Sequence, residues 1–220
     1  MIRAAVFDFD GVVLESVDVK TRAFARVVGD WPEHVDAMVD YHLAHGGVSR
    51  FEKFAWFHRE RLGREITAAE SAAMGERFSA MALDEVLACA FVPGARELLE
   101  RRARELPLYV ASGTPQDELR EIVARRDLER LFTGVYGSPP TKAQILERVA
   151  DEEGCTPSEL LMVGDAMTDY EGARAVGAAF AGRVPPGDDD PFPPGTLAVE
   201  DLAALDAAWE ELVARVPAAP

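Results

Sequence analysis

Asp8 and Asp10 end a short apolar run in the segment Val6-Phe7-Asp8-Phe9-Asp10-Gly11, and residues two apart on an extended chain point the same way. Carboxylates converging on one point call for a cation, and a hard divalent ion such as Mg2+ prefers carboxylate, carbonyl and water oxygens in an octahedral shell. Asp165, in Gly164-Asp165-Ala166-Met167-Thr168-Asp169, follows another apolar run and can supply a third ligand. Lys142 would meet the remaining charge of a bound phosphate. Ser112 and the amides of Gly113 and Thr114, expected where a strand turns into a helix, would offer it hydrogen-bond donors. Such a set supports phosphoryl transfer, with an aspartate attacking phosphorus to give an aspartyl-phosphate. Any one strand-end aspartate is equally a turn former or a helix cap. The chemical reading rests on four strand ends that together carry what one metal and one phosphate require.

To converge, these residues need a parallel sheet, in which ligands bind beyond the carboxyl ends of the strands. Apolar runs at 2–9, 106–111, 134–136, 160–163, 178–181 and 197–199 read as buried strands, and helical patterns at 95–103, 116–125, 143–152 and 169–176 separate most of the later ones. This alternation predicts an α/β protein with a doubly wound, Rossmann-like parallel sheet. Residues 17–90 carry no convincing strand pattern. They carry helical patterns at 17–28, 33–44, 50–62 and 68–87, the last opened by Thr67 and Glu70 as a capping box. The expected organisation is a core from residues 1–16 and 91–220 and an inserted helical domain at 17–90.

With 220 residues, 48% of them hydrophobic, the chain can bury a sizeable core. Its formal net charge of -16 argues against nucleic acid, whose phosphates are met by a basic face. A phosphorylated ligand must then find its positive charge locally. Cys89 and Cys155 support neither a disulfide framework nor a zinc cluster. The apolar run at the N-terminus is too short for a membrane span, so a soluble cytoplasmic protein with no membrane partner is expected. Nothing in the sequence specifies an oligomeric state. The Pro-rich acidic stretch 185–195 reads as a surface loop, in which Asp188, Asp189 and Asp190 form a solvated turn or, less simply, a cation site.

From Asp8 to Asp169 these residues resemble the four motifs of the haloacid dehalogenase superfamily. The resemblance implies that Asp8 is nucleophile and metal ligand, and that Asp10 is general acid and base and gives its backbone carbonyl to Mg2+. It further implies that Ser112, Gly113 and Lys142 hold phosphate, that Asp165 completes the metal site, and that Asp169 supports it through water or by orienting Lys142. The helical insertion is then a cap that closes over the site and selects a small phosphorylated metabolite, a sugar phosphate or phosphoglycolate-like acid, with hinges near residues 14–16 and 90–94. Glu15 departs from the aspartate common at that place in related phosphatases.

Within the insertion, His45-Gly46-Gly47-Val48-Ser49-Arg50 is similar to the substrate loop of beta-phosphoglucomutases, which implies that Arg50, helped by Lys53, grips a distal anion. On the other reading Gly46 and Gly47 end one helix, Ser49 caps the next and Arg50 faces solvent. His45 at a helix end is explained by the dipole, and His34, His42 and His58 have no evident partners. Phe51, Phe54, Ala55 and His58 recur at helical spacing and are expected in the core of the insertion. A phosphomutase would use the same aspartates. It is disfavoured because glycine precedes Asp165 and a second aspartate follows, whereas the mutases resembled carry an acidic residue before the metal aspartate. A non-catalytic metal-binding or scaffold protein is the other alternative. The EF-hand pattern fails at Gly11 and Val19, and no phosphate-binding glycine fingerprint follows the first strand.

Overall fold

Runs of Ala, Val, Leu and Phe with no polar face form strands buried on both sides, and here they build the centre of a parallel sheet. The computed structural model describes residues 2–215. Strands β1 (Ala4–Phe7) and β4 (Leu160–Gly164) are buried throughout. They are joined by β2 (Leu108–Pro115), β3 (Gly134–Ser138), β5 (Ala179–Arg183) and β6 (Leu197–Val199) in the order β3-β2-β1-β4-β5-β6, with every pairing parallel. The chain leaves β1 toward β2 and β3, then crosses back to β4, so the strand order reverses beside β1, where parallel sheets open a ligand crevice. Phe7 pairs with Val110 on one side and Val163 on the other, which puts Asp8 between the middle of β2 and the end of β4.

Helices α1 (Val17–Val27), α2 (Val35–Ala44), α3 (Arg50–Arg61) and α4 (Ala68–Ala88) follow β1. They pack on one another around Phe24, Met38, Phe54, Phe57 and Phe78. The capping box at Thr67 and Glu70 is formed. The strands that lead into and out of this set run beside each other: Glu15 N–H donates to Ala90 O at 3.0 Å and Val92 N–H to Val13 O at 3.1 Å. Helices α5 (Ala95–Arg102), α6 (Gln116–Arg125), α7 (Lys142–Glu153), α8 (Met167–Val176) and α9 (Leu202–Arg215) complete the chain. Among the described residues no helix is long and apolar enough to cross a membrane.

Three expectations are corrected. Strand β2 continues through Ser112, Gly113 and Thr114 to Pro115, past an irregularity in its pairing with β3, so these residues are extended and α6 starts only at Gln116. Helix α9 is an addition, and its Leu202, Leu205, Trp209 and Leu212 recur at helical spacing on the buried side. The face of α3 is also rotated from the expected stripe: Arg50, Lys53, Phe54, Phe57 and His58 are buried, whereas Phe51 is exposed.

Candidate active site

Asp8 is the first residue beyond β1 and is held by backbone and side chain alike. Its N–H donates to Val163 O at 2.8 Å, and its Oδ1 accepts from Phe9 N at 2.7 Å and from Lys142 Nζ at 2.9 Å. Among the described residues no hydrogen bond uses Oδ2. Lys142 opens α7, where the helix dipole disfavours a cation, and its place is explained by its partners. Besides Asp8 these are Asp169 Oδ1 at 2.6 Å and Ala111 O at 2.6 Å. Burial would lower the lysine's pKa, but Asp169 and Asp8 more than offset it, so the ammonium is held charged.

Asp8, Asp165 and Asp169 each place a carboxylate oxygen within 4.8 Å of the others. Two buried carboxylates and the half-buried Asp165 against one lysine leave negative charge uncompensated. Burial, with repulsion from Asp169 and Asp10, pushes the Asp8 carboxyl up to about 7 despite Lys142. Burial, then Asp8 and Asp169, raises Asp165 as well. An oxygen-only cluster of excess charge fits a hard divalent cation, with Asp8 and Asp165 as ligands and Asp169 beside them. Gly11 makes room for this: at φ +76°, a Cβ there would meet Asp165 Oδ2 at 1.9 Å.

The Asp10 carboxylate turns to a different set of partners. Its Oδ1 accepts from Ser16 Oγ at 2.6 Å, and its Oδ2 pairs with Lys20 Nζ and accepts from Thr114 Oγ1 at 3.1 Å. Ser112 Oγ stands 3.4 Å from the same oxygen. Burial would raise the Asp10 carboxyl, but Lys20 and these hydroxyls outweigh it and hold the group below the ordinary carboxylate value. Two aspartates two residues apart are thus driven in opposite directions by their neighbours.

Residues 2–177 match the haloacid dehalogenase-like hydrolase family. The chain belongs to that family. It is 26% identical over 186 residues to a phosphoglycolate phosphatase from Synechococcus elongatus, a match covering 80% of this chain and 81% of that protein. It is 28% identical to a 5'-nucleotidase from Pseudomonas aeruginosa, covering 80% of each. The crystal structure of a beta-phosphoglucomutase from Clostridium difficile superposes with a TM-score of 0.75 at 15% identity, covering 98% of this chain and 100% of that one, a likeness of fold.

As in other enzymes built on parallel sheets, the strand ends of this haloacid dehalogenase-like hydrolase open into a cavity, here of about 300 Å³. Asp8, Asp10, Gly113 and Asp165 line it from the sheet, and Lys20, Phe24, His42, Arg50 and Lys53 from the helices. The 46–48 loop closes against the sheet: Thr168 Oγ1 donates to Gly46 O at 2.7 Å, and a Cβ on Gly113 would meet Gly47 O at 2.3 Å.

Arg50 is buried, not solvent-facing. Its Nη1 donates to Glu118 Oε2 and Ser79 Oγ, each at 2.9 Å, its Nη2 donates to Glu118 Oε1, and it stacks over Phe78. Glu15 pairs with Arg183, whose Nη2 lies 2.7 Å from Oε1 and whose Nη1 also donates to Gly11 O, so its longer side chain reaches the end of β5. In the 185–195 loop Asp188, Asp189 and Asp190 are exposed, while Pro191 lines the cavity. Sequence reasoning missed Lys20, His42 and Glu118. The signal for Lys20 was present: it stands three, four and seven residues before Ala23, Phe24 and Val27, on the buried stripe of α1.

Proposed function

We propose that this protein is a Mg2+-dependent phosphatase that hydrolyses a small phosphorylated metabolite through an aspartyl-phosphate on Asp8. One observation carries the reading: Asp8 is pinned through Oδ1 by Lys142 and Phe9 N–H while Oδ2 stays unbonded beside a carboxylate cluster at the floor of a cavity. Bound at Asp8, Asp165 and the Asp10 carbonyl, Mg2+ would neutralise phosphate charge and orient the phosphoryl group. Asp8 Oδ2 attacks phosphorus, the bond from phosphorus to the leaving oxygen breaks, and Asp10 gives that oxygen a proton. Water then attacks the aspartyl-phosphate, its proton passes to the Asp10 carboxylate, and the Asp8–phosphorus bond breaks to release inorganic phosphate. Lys142, Ser112 and the Gly113 amide are assigned to the phosphate oxygens, and Asp169 keeps Lys142 in place.

Residues 17–90 act as the cap on a core of residues 1–16 and 91–220, with hinges near residues 14–16 and 90–94. Hydrolysis is favoured over phosphomutase chemistry by Gly164, where a Cβ would meet Asp169 Cβ at 2.3 Å, so an acidic side chain has no room before Asp165. The test is phosphate release from aryl and sugar phosphates with and without Mg2+, and with and without a sugar bisphosphate primer. Release that needs the metal and ignores the primer supports the reading; dependence on the primer contradicts it.

A further inference from the structure

The cavity has a second polar end, built by the helices rather than the sheet. Lys53 on α3 is 2% exposed, and its Nζ lies 2.8 Å from His42 Nδ1 and donates to His42 O at 3.3 Å. Among the described residues it forms no ion pair with a carboxylate. Its ammonium also rests 5.3 Å from the centroid of the Phe24 ring, a contact that softens but does not neutralise a buried charge. With Nδ1 accepting from Lys53, the His42 ring carries its proton on Nε2, and that buried nitrogen has no partner. Arg50, the cation next to this pair on α3, is already bound by Glu118 and Ser79.

Both His42 and Lys53 line the same cavity as Asp8 and Asp10. Among the described residues, that end therefore brings together a cation with no carboxylate counter-charge and an N–H with no bond. A leaving group carrying only hydroxyls would leave the buried charge unmet, whereas a carboxylate accepts from both donors and pairs with the ammonium. A lysine disfavoured by burial and by nearby Lys20, with its pKa down to about 7, gains most from such a partner.

We infer that Lys53 and His42 form a carboxylate subsite, making the preferred substrate a phosphorylated small hydroxy acid rather than a neutral sugar phosphate or a nucleotide. This deepens the phosphatase reading and rests on the phosphate being held at Asp8 and Lys142. A phosphate with a two- or three-carbon acid fits within the cavity volume of about 300 Å³.

The test is calorimetric binding of two inert phosphonates in the presence of Mg2+: phosphonoacetate, which carries the carboxylate, and ethylphosphonate, which does not. The wild-type protein is expected to prefer phosphonoacetate by at least about tenfold. In Lys53→Met and His42→Leu, both checked for fold by circular dichroism, the ratio should fall to within about threefold of unity. Equal affinities in the wild type would overturn the subsite while leaving the phosphate site standing, and so would a preference that survives in Lys53→Met. Failure of the wild type to bind either compound would overturn it together with the phosphate site.

Discussion

Arg50 on α3 and Glu118 on α6 form a two-pronged ion pair that ties the inserted helices to the sheet-bearing part of the chain, with Ser79 of α4 donating to Glu118 as well. Both side chains are largely buried, so each is the other's main source of compensation. Burial would raise the Glu118 carboxyl, but Arg50 and Ser79 hold it below its ordinary value.

Glu118→Ala leaves the Arg50 guanidinium buried without a counter-charge and is expected to cost about 2–4 kcal/mol at pH 7. Because the folded-state pKa of Glu118 is depressed, its contribution is present above the unfolded value of 4.5 and is lost as pH falls through the folded value. Urea titrations should therefore show a wild-type advantage that narrows under acid conditions. A constant gap would contradict this assignment.

Lys20→Met removes the cation that holds the Asp10 carboxyl low. The pKa of Asp10 rises, so the alkaline limb of the kcat/KM profile, set by loss of the Asp10 proton that reaches the leaving oxygen, should move to higher pH, and kcat should fall about 10–100-fold as Asp10 loses the partner that positions it. An unmoved limb with unchanged kcat would remove Lys20 from the acid–base pair.

Divalent metal should stabilise the protein more at pH 7.5 than at pH 5. Asp8 titrates near 7, well above its unfolded value of 3.8, so in metal-free protein the folded state holds the extra proton between them and stability falls as pH rises through that window. A bound cation compensates the charge that appears. Thermal melts with Mg2+ and with a chelator check this, and a metal-induced shift that is independent of pH would count against the carboxylate cluster as the site.

Gly113→Ala places a methyl group against Gly47 O and so pushes the 46–48 loop off the sheet. KM for an aryl phosphate should rise about tenfold or more while thermal stability changes by only a few degrees. An unchanged KM would mean that closure of this loop does not contribute to substrate binding.

The sheet and its strand ends were legible because unbroken apolar runs are what a doubly covered parallel strand requires, and because Asp8, Asp10, Lys142 and Asp165 each follow such a run at once or by a short turn. What was not legible depends on which way a helix faces. On one of its two readings Arg50 is a solvent-side cation, as it is when Phe51 and Phe54 are taken as the stripe, but Arg50 and Lys53 both turn inward once α3 packs on α4, and their partners are 68 and 11 residues away. The extension of β2 through Thr114 was likewise hidden, because Ser112-Gly113-Thr114-Pro115 reads as a turn and is extended only through its irregular pairing with β3.

The central claim is that Asp8 carries the phosphoryl group. It is tested most directly by acid-quenching the protein during turnover of an aryl phosphate with Mg2+ and mapping phosphate by peptide mass spectrometry. A hydroxylamine-labile phosphoryl group on Asp8, missing in Asp8→Asn together with turnover, is the predicted result. Steady phosphate release from Asp8→Asn, or a phosphoryl group on another residue, would contradict it.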